Sequence, residues 1–157
     1  MPEKKTEKSP RALPRVEVGV LGGTGLCEIG GVEGLRAYRL GTPFGAPSDA
    51  YVVGRLGGRT VAFLSRHGRG HRLLPTEINY RANVYGFKML GAGRVISVSS
   101  VGSLREEIRP GDLVFADQFL DKTQRRSTFF GGGIAAHVSF ARPICPQLAG
   151  FLRATAG

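Results

Sequence analysis

The segment Val16-Glu-Val-Gly-Val-Leu21 runs directly into Gly22-Gly23-Thr24-Gly25. An apolar run this short suits a buried strand rather than a helix. Glycines at its end allow an abrupt turn and leave main-chain N–H groups free to point outward. The arrangement recurs twice. Arg59 to Ser65 reads as a strand and is followed by Arg66-His67-Gly68-Arg69-Gly70-His71-Arg72. Val95 to Val98 reads as a β-branched buried strand and is followed by Ser99-Ser100-Val101-Gly102-Ser103. All three loops are rich in hydrogen-bond donors and free of carboxylates. In open α/β sheets, ligands sit beyond the carboxyl ends of the strands. The chain therefore predicts a sheet with an anion-binding edge.

The other segments fit that scheme. Tyr51 to Leu56 and Arg59 to Ser65 flank Gly57-Gly58, which reads as a β-hairpin. Pro75 opens a helical stretch that reaches Leu90, with Ile78, Ala82, Tyr85 and Met89 on one face and Gly91 at the end. Residues 28–49 are rich in turn formers and predict only weak regular structure. Leu113 to Ala116 reads as a further buried strand after the Pro110-Gly111 turn. Residues 121–133 form a polar, Gly-rich loop, and Pro146 to Ala156 reads as a helix. Strands separated by a helix predict an α/β fold with a mixed, mainly parallel twisted sheet and flanking helices. Residues 1–14 read as a mobile basic tail and 15–157 as part of one domain.

Composition narrows the function. The 157 residues are 41% hydrophobic, enough for a core. The 24 glycines sit in short clusters, which excludes a collagen-like repeat. No apolar run approaches the roughly 18 residues of a membrane span. Lys4, Lys5 and Lys8 are followed by Pro10, Arg11, Pro14 and Arg15 rather than by a signal peptide's apolar stretch. A cytoplasmic location without membrane contact is the expectation. The net charge is +10, from 22 basic and 12 acidic side chains. The arginines are scattered singly, which favours acidic small molecules, phosphate above all, over nucleic acid. Cys27 and Cys145 are far apart and read as two reduced thiols.

Each loop also has a plainer reading. Gly22-Gly23-Thr24-Gly25 is an anion cradle or a tight turn. It lacks the third glycine of a dinucleotide fingerprint, since Glu28 stands there, and the Gly-Lys-Ser/Thr of a P-loop. Arg66-His67 is a phosphate fork with an adjacent imidazole donor, or a solvated basic loop. His67 and His71 have the spacing of helical zinc ligands, but Gly68 and Gly70 break the helix, so no metal is expected. Ser99 to Ser103 is a donor-lined strand end or an ordinary turn. Ser99 and Ser100 form no nucleophile elbow. Glu106 and Glu107 read as a solvated turn. Jointly, the three loops suggest a phosphate pocket.

Several ordered motifs then carry a resemblance. Val18 to Leu26, Ser65 to His71, Asn79-Tyr-Arg-Ala-Asn83, Ser100 to Ile108, Pro110-Gly-Asp112 and Asp117 to Thr123 resemble the 5'-methylthioadenosine phosphorylases, a branch of the trimeric purine nucleoside phosphorylases. The resemblance runs from about Val16 to the end of the chain. It implies a nucleoside phosphorylase-like α/β fold and a homotrimer. It implies attack of phosphate on methylthioadenosine, giving adenine and 5-methylthioribose 1-phosphate, with no cofactor beyond inorganic phosphate as co-substrate. Residue by residue, it implies phosphate binding by Thr24, Arg66, His67, Ser99 and Ser100. Val101 and Gly102 would line the purine and ribose side, and His137 would be lent to a neighbouring subunit's methylthio pocket. Where relatives carry a longer loop, this chain has Gly131-Gly132-Gly133.

By the same resemblance, Gly157 falls about half-way along the family pattern. The purine-reading acidic residues belong to the other half, so the chain alone is expected to be a poor catalyst. Two alternatives remain at this point. One is a phosphorylase for methylthioinosine, inosine or guanosine. The other is a non-catalytic, truncated phosphate-binding paralogue.

Overall fold

The computed structural model describes residues 12–23, 25, 30–125 and 128–156. Most of the expected tail, Thr24 and Cys27 lie outside the described residues. The chain forms two compact units that divide between Ser99 and Ser100.

The first unit is a five-stranded sheet with one helix. Its strands are β1 (Val18–Gly22), β2 (Glu33–Tyr38), β3 (Tyr51–Leu56), β4 (Arg59–Ser65) and β5 (Arg94–Ser97), in the order β2-β3-β4-β1-β5. β1 runs parallel to β4 on one side and to β5 on the other. The β2-β3 and β3-β4 pairs are antiparallel, so the sheet is mixed. The Gly57-Gly58 hairpin is as read from sequence: both glycines have positive φ, +56° and +78°. That backbone matches the twist of the flanking strands and suits glycine.

β2 corrects the expectation of weak structure over residues 28–49. It lies at the outer edge of the sheet and is almost wholly exposed. A strand with no buried face leaves no apolar alternation to read. Its pairing slips between Glu33 and Arg36. Gly54 of β3 admits this irregular edge, since a Cβ there would lie 2.6 Å from Val32 Cγ1.

The helix α1 spans Tyr80–Met89 rather than starting at Pro75. Asn79 sets the start: its Oδ1 accepts from the Ala82 N–H at 3.1 Å, and its Nδ2 donates to the Phe44 carbonyl at 2.7 Å. An N-cap satisfies donors that the first helical turn leaves open. At the other end, Gly91 (φ +77°) donates to the Lys88 carbonyl and Ala92 to the Phe87 carbonyl. This paired closure, with a left-handed glycine, stops the helix.

The buried face of α1 is Ala82, Asn83, Gly86 and Phe87, not the face through Tyr85 and Met89. The shift has a cause in the sheet. Tyr51 projects from β3, stacks edge-on against Phe87 (5.0 Å, 82°) and donates to the Asn83 carbonyl at 2.7 Å. Gly86 and Gly19 make room for these rings, and a Cβ on Gly19 would lie 2.5 Å from Phe87 Cδ1. A polar residue and a glycine on the docking face conceal it from a hydrophobic pattern. Val16, Leu21, Val53, Ala62, Leu64 and Leu90 complete the core.

β5 differs from expectation in burial. It is the last strand in the sheet order and pairs with β1. Val95 and Val98 are 38% and 42% exposed, so this is an apolar sheet edge rather than a buried strand.

In the second unit, α2 spans Pro146–Ala156, as the sequence indicates. Leu113 to Ala116 is not a strand; Leu113 is 72% exposed. An apolar run becomes a strand only where a ladder partner exists, and none is present among the described residues. The Gly131-Gly132-Gly133 turn closes by the Ile134 N–H donating to the Gly131 carbonyl at 3.3 Å. No described helix is long and apolar enough to cross a membrane.

Candidate functional site

The parallel register of β1, β4 and β5 places their carboxyl ends side by side. Gly22 aligns with Ser65, and Leu21 with Ser97. Two main-chain bonds extend the alignment past the strands. The Arg66 N–H donates to the Gly22 carbonyl and the Val98 N–H to the Leu21 carbonyl, both at 2.9 Å. The glycine turn, the Arg66-His67 pair and Ser99 therefore start from adjacent strand tips.

Arg66, His67 and Ser99 line one cavity of about 240 Å3, together with Pro75, Tyr80 and Ser97. Among the described residues, no carboxylate lines it. Arg66 is held across the tips, its Nη1 donating to the Val98 carbonyl at 2.9 Å. Its Nε donates to His67 Nε2 at 3.1 Å. His67 is only 6% exposed, and its Nδ1 donates to the Leu73 carbonyl at 2.9 Å. The imidazole donor expected from the sequence is thus directed into the protein, and Nε2 is the acceptor on the arginine side.

The loop after β4 is shaped by glycine. Gly68 (φ +71°) packs so closely that a Cβ would lie 2.9 Å from Arg72 Nε and 3.0 Å from the Ser48 carbonyl. His71, also at positive φ (54°), stacks on His67 with ring centroids 4.1 Å apart. Asp49 grips the back of this loop. Burial pushes its carboxyl up, but bonds from the Ala50 and Arg69 N–H groups and the charges of Arg72 and Arg39 outweigh this. Its pKa falls below the ordinary aspartate value. No group of three described His, Cys, Asp or Glu residues is placed to hold a metal ion.

Thr24 lies outside the described residues; Gly23 beside it faces open space. Ser100, Val101, Gly102 and His137 belong to the second unit, where all four are exposed. A cavity of about 420 Å3 in that unit has Asp117, Gln118, Arg142 and Arg153 in its lining, but not His137. Three wall residues of the first cavity were not singled out as site residues: Pro75, Tyr80 and Ser97. Pro75 reads as a helix start and Tyr80 as part of a family motif. Only the folded chain brings them into one cavity with Arg66.

Residues 17–157 match the family model described as the phosphorylase superfamily. The S-methyl-5'-thioadenosine phosphorylase of Koribacter versatilis is 60% identical over 86% of this chain and 47% of its own length. That of Geobacter sulfurreducens is 57% identical over 88% of this chain and 49% of its own. Among solved structures, a methylthioadenosine phosphorylase from an antarctic soil metagenomic library superposes with a TM-score of 0.85 at 50% identity, covering 88% of this chain and 48% of that one. The Schistosoma mansoni methylthioadenosine phosphorylase in complex with adenine gives a TM-score of 0.83 at 38% identity, covering 90% and 53%. The chain spans about half the length of the relatives it matches.

Proposed function

The chain belongs to the phosphorylase superfamily, and we propose that it carries the phosphate-binding half of a purine nucleoside phosphorylase acting on 5'-methylthioadenosine. The observation that carries this reading is the one cavity that Arg66, His67 and Ser99 line together beyond the parallel strand ends, with no carboxylate among its described lining residues. A dianion suits such a site, because an arginine fork matches two phosphate oxygens and no described wall residue is negative. The names of the relatives supply the substrate.

In this reading Arg66 and Ser99 bind the phosphate oxygens, and Thr24 and Ser100 are further phosphate ligands. His67, whose Nε2 accepts from Arg66 Nε, orients the guanidinium that holds the phosphate. A phosphate oxygen forms a bond to the ribose anomeric carbon as the bond to the purine nitrogen breaks. The leaving adenine takes a proton from a general acid. Phosphate is a weak nucleophile, so orientation is the main contribution, on the order of 7–11 kcal/mol at best. Its charge also stabilises the developing oxocarbenium ion. Val101 and Gly102 face the nucleoside, and His137 serves the methylthio pocket of a neighbouring subunit in a homotrimer. Inorganic phosphate is the co-substrate, no further cofactor takes part, and the protein acts in the cytoplasm.

The test is phosphate-dependent adenine release from methylthioadenosine by the protein that bears this chain. Calorimetric titration of the chain with inorganic phosphate accompanies it. Release of hypoxanthine from methylthioinosine in preference to adenine would move the assignment to a 6-oxopurine enzyme. No phosphate binding would sink it.

A further inference from the structure

The loop that presents Arg66 and His67 is fastened from behind by a hydrogen-bonded strut. Asn83, fully buried on α1, holds Ser48 twice: its Oδ1 accepts from the Ser48 N–H at 2.8 Å, and its Nδ2 donates to Ser48 Oγ at 2.9 Å. The Ser48 carbonyl accepts from Arg72 Nη2 at 2.7 Å. The next residue, Asp49, accepts from the Arg69 N–H through Oδ2 at 2.6 Å and from the Ala50 N–H through Oδ1 at 2.7 Å. The loop closes on itself by His67 and Leu73, each accepting from the other, at 3.0 Å through the main chain and 2.9 Å through the ring.

We infer that Asp49, backed by Ser48 and Asn83, is a positioning residue that sets the Arg66-His67 pair against α1 for phosphate. The inference rests on the phosphate-site reading above. Three observations carry it. First, Asp49 does not line the cavity, so its carboxylate does not confront the anion. Second, it holds the main chain of Arg69, within the turn that Gly68, Gly70 and His71 bend through positive φ. The turn's own main-chain bonds, from Gly68 to Ser65, from His71 to Gly68 and from Leu73 to His67, do not use the Arg69 N–H, and an ionised acceptor on a backbone N–H is among the stronger single restraints available. Third, the strut's far end is α1, which also carries Tyr80, a wall of the same cavity. One chain of bonds thus links α1 to the loop that follows Arg66 and His67, and both elements contribute to the cavity wall.

The experiment is titration with inorganic phosphate of the unmodified chain, Asp49→Ala, Asp49→Asn and Arg66→Ala, with thermal melts alongside. In the full protein, KM for phosphate and KM for the nucleoside are measured separately. Asp49→Ala is expected to weaken phosphate by about tenfold while the nucleoside KM holds. Asp49→Asn, which retains one acceptor, should recover part of the loss. Equal phosphate affinity in the unmodified chain and a folded Asp49→Ala overturns the inference. So does a loss that falls equally on both substrates.

Absence of phosphate binding in the unmodified chain sinks the site reading itself, a distinct result. Should the variants fail to fold, hydrogen exchange in the unmodified chain decides. The Arg69 amide is expected to be protected, and phosphate to slow its exchange further. Exchange that phosphate leaves unchanged overturns the inference.

Discussion

Arg66 donates through Nε to Nε2 of His67, the residue that follows it, and this bond is kept while Nη1 reaches the Val98 carbonyl on β5. The guanidinium therefore spans two strand tips. Two of its five N–H donors are occupied among the described residues, and the others are available to an anion in the cavity.

Arg66→Lys is consequently a severe change. An ammonium cannot hold His67 and Val98 together and still present a planar fork. Calorimetry is expected to show phosphate affinity reduced by on the order of 2 kcal/mol, roughly thirtyfold. A lysine variant that binds as well as the parent would remove Arg66 from the site.

The Asp49 carboxyl makes the first unit's stability depend on acid. Its folded pKa lies below the unfolded value. The contribution is then fully present above the ordinary aspartate range near pH 3.9. It is lost as pH falls through the folded value. Denaturant midpoints of the parent and Asp49→Asn, compared from neutral pH down to about pH 3, should differ by a constant amount at first and converge at the acid end. A gap that widens on acidification would contradict this sign.

Gly86→Ala inverts a helix-propensity expectation. In an exposed helix interior the exchange stabilises by about 1 kcal/mol. In α1 the new Cβ would run into the buried Tyr51 hydroxyl. Overpacking of this kind costs about 1–3 kcal/mol. Thermal melts should show a lower midpoint, and adding Tyr51→Phe should return part of it.

The β5 edge leaves Val95 and Val98 exposed, and among the described residues no further strand pairs with its outer side. Such an edge templates pairing with another chain. Val95→Lys is expected to slow aggregation, read by light scattering at matched concentration, without altering phosphate binding. Equal aggregation would place the sticky surface elsewhere.

The elements that were legible in the sequence share one property: their signal is local. Gly57-Gly58 requires positive φ at two successive positions, which glycine provides wherever it sits. Pro146 to Ala156 carries its helix start in its own first residue. The three donor-rich loops could be counted directly, and the ordered motifs from Val18 to Thr123 marked the family. β2 and Leu113 to Ala116 were misjudged in opposite directions for one reason. A strand is completed by its neighbour, and neither an exposed partnered edge nor an unpartnered apolar run announces this in its own residues.

What the residues by themselves determined was the inventory: an arginine, a histidine and serines placed at the ends of short apolar runs, with glycines to let the chain turn there. Only the three-dimensional arrangement decided which atoms serve. The parallel register of β1 between β4 and β5 brought the tips together. The docking of Tyr51 and Phe87 rotated α1 so that Tyr80 became a wall. Asn83 and Asp49, distant in sequence, were joined into one strut through Ser48. Hydrogen-bond direction and close packing act between residues far apart along the chain, so these choices become visible only when the strands and helix lie against one another.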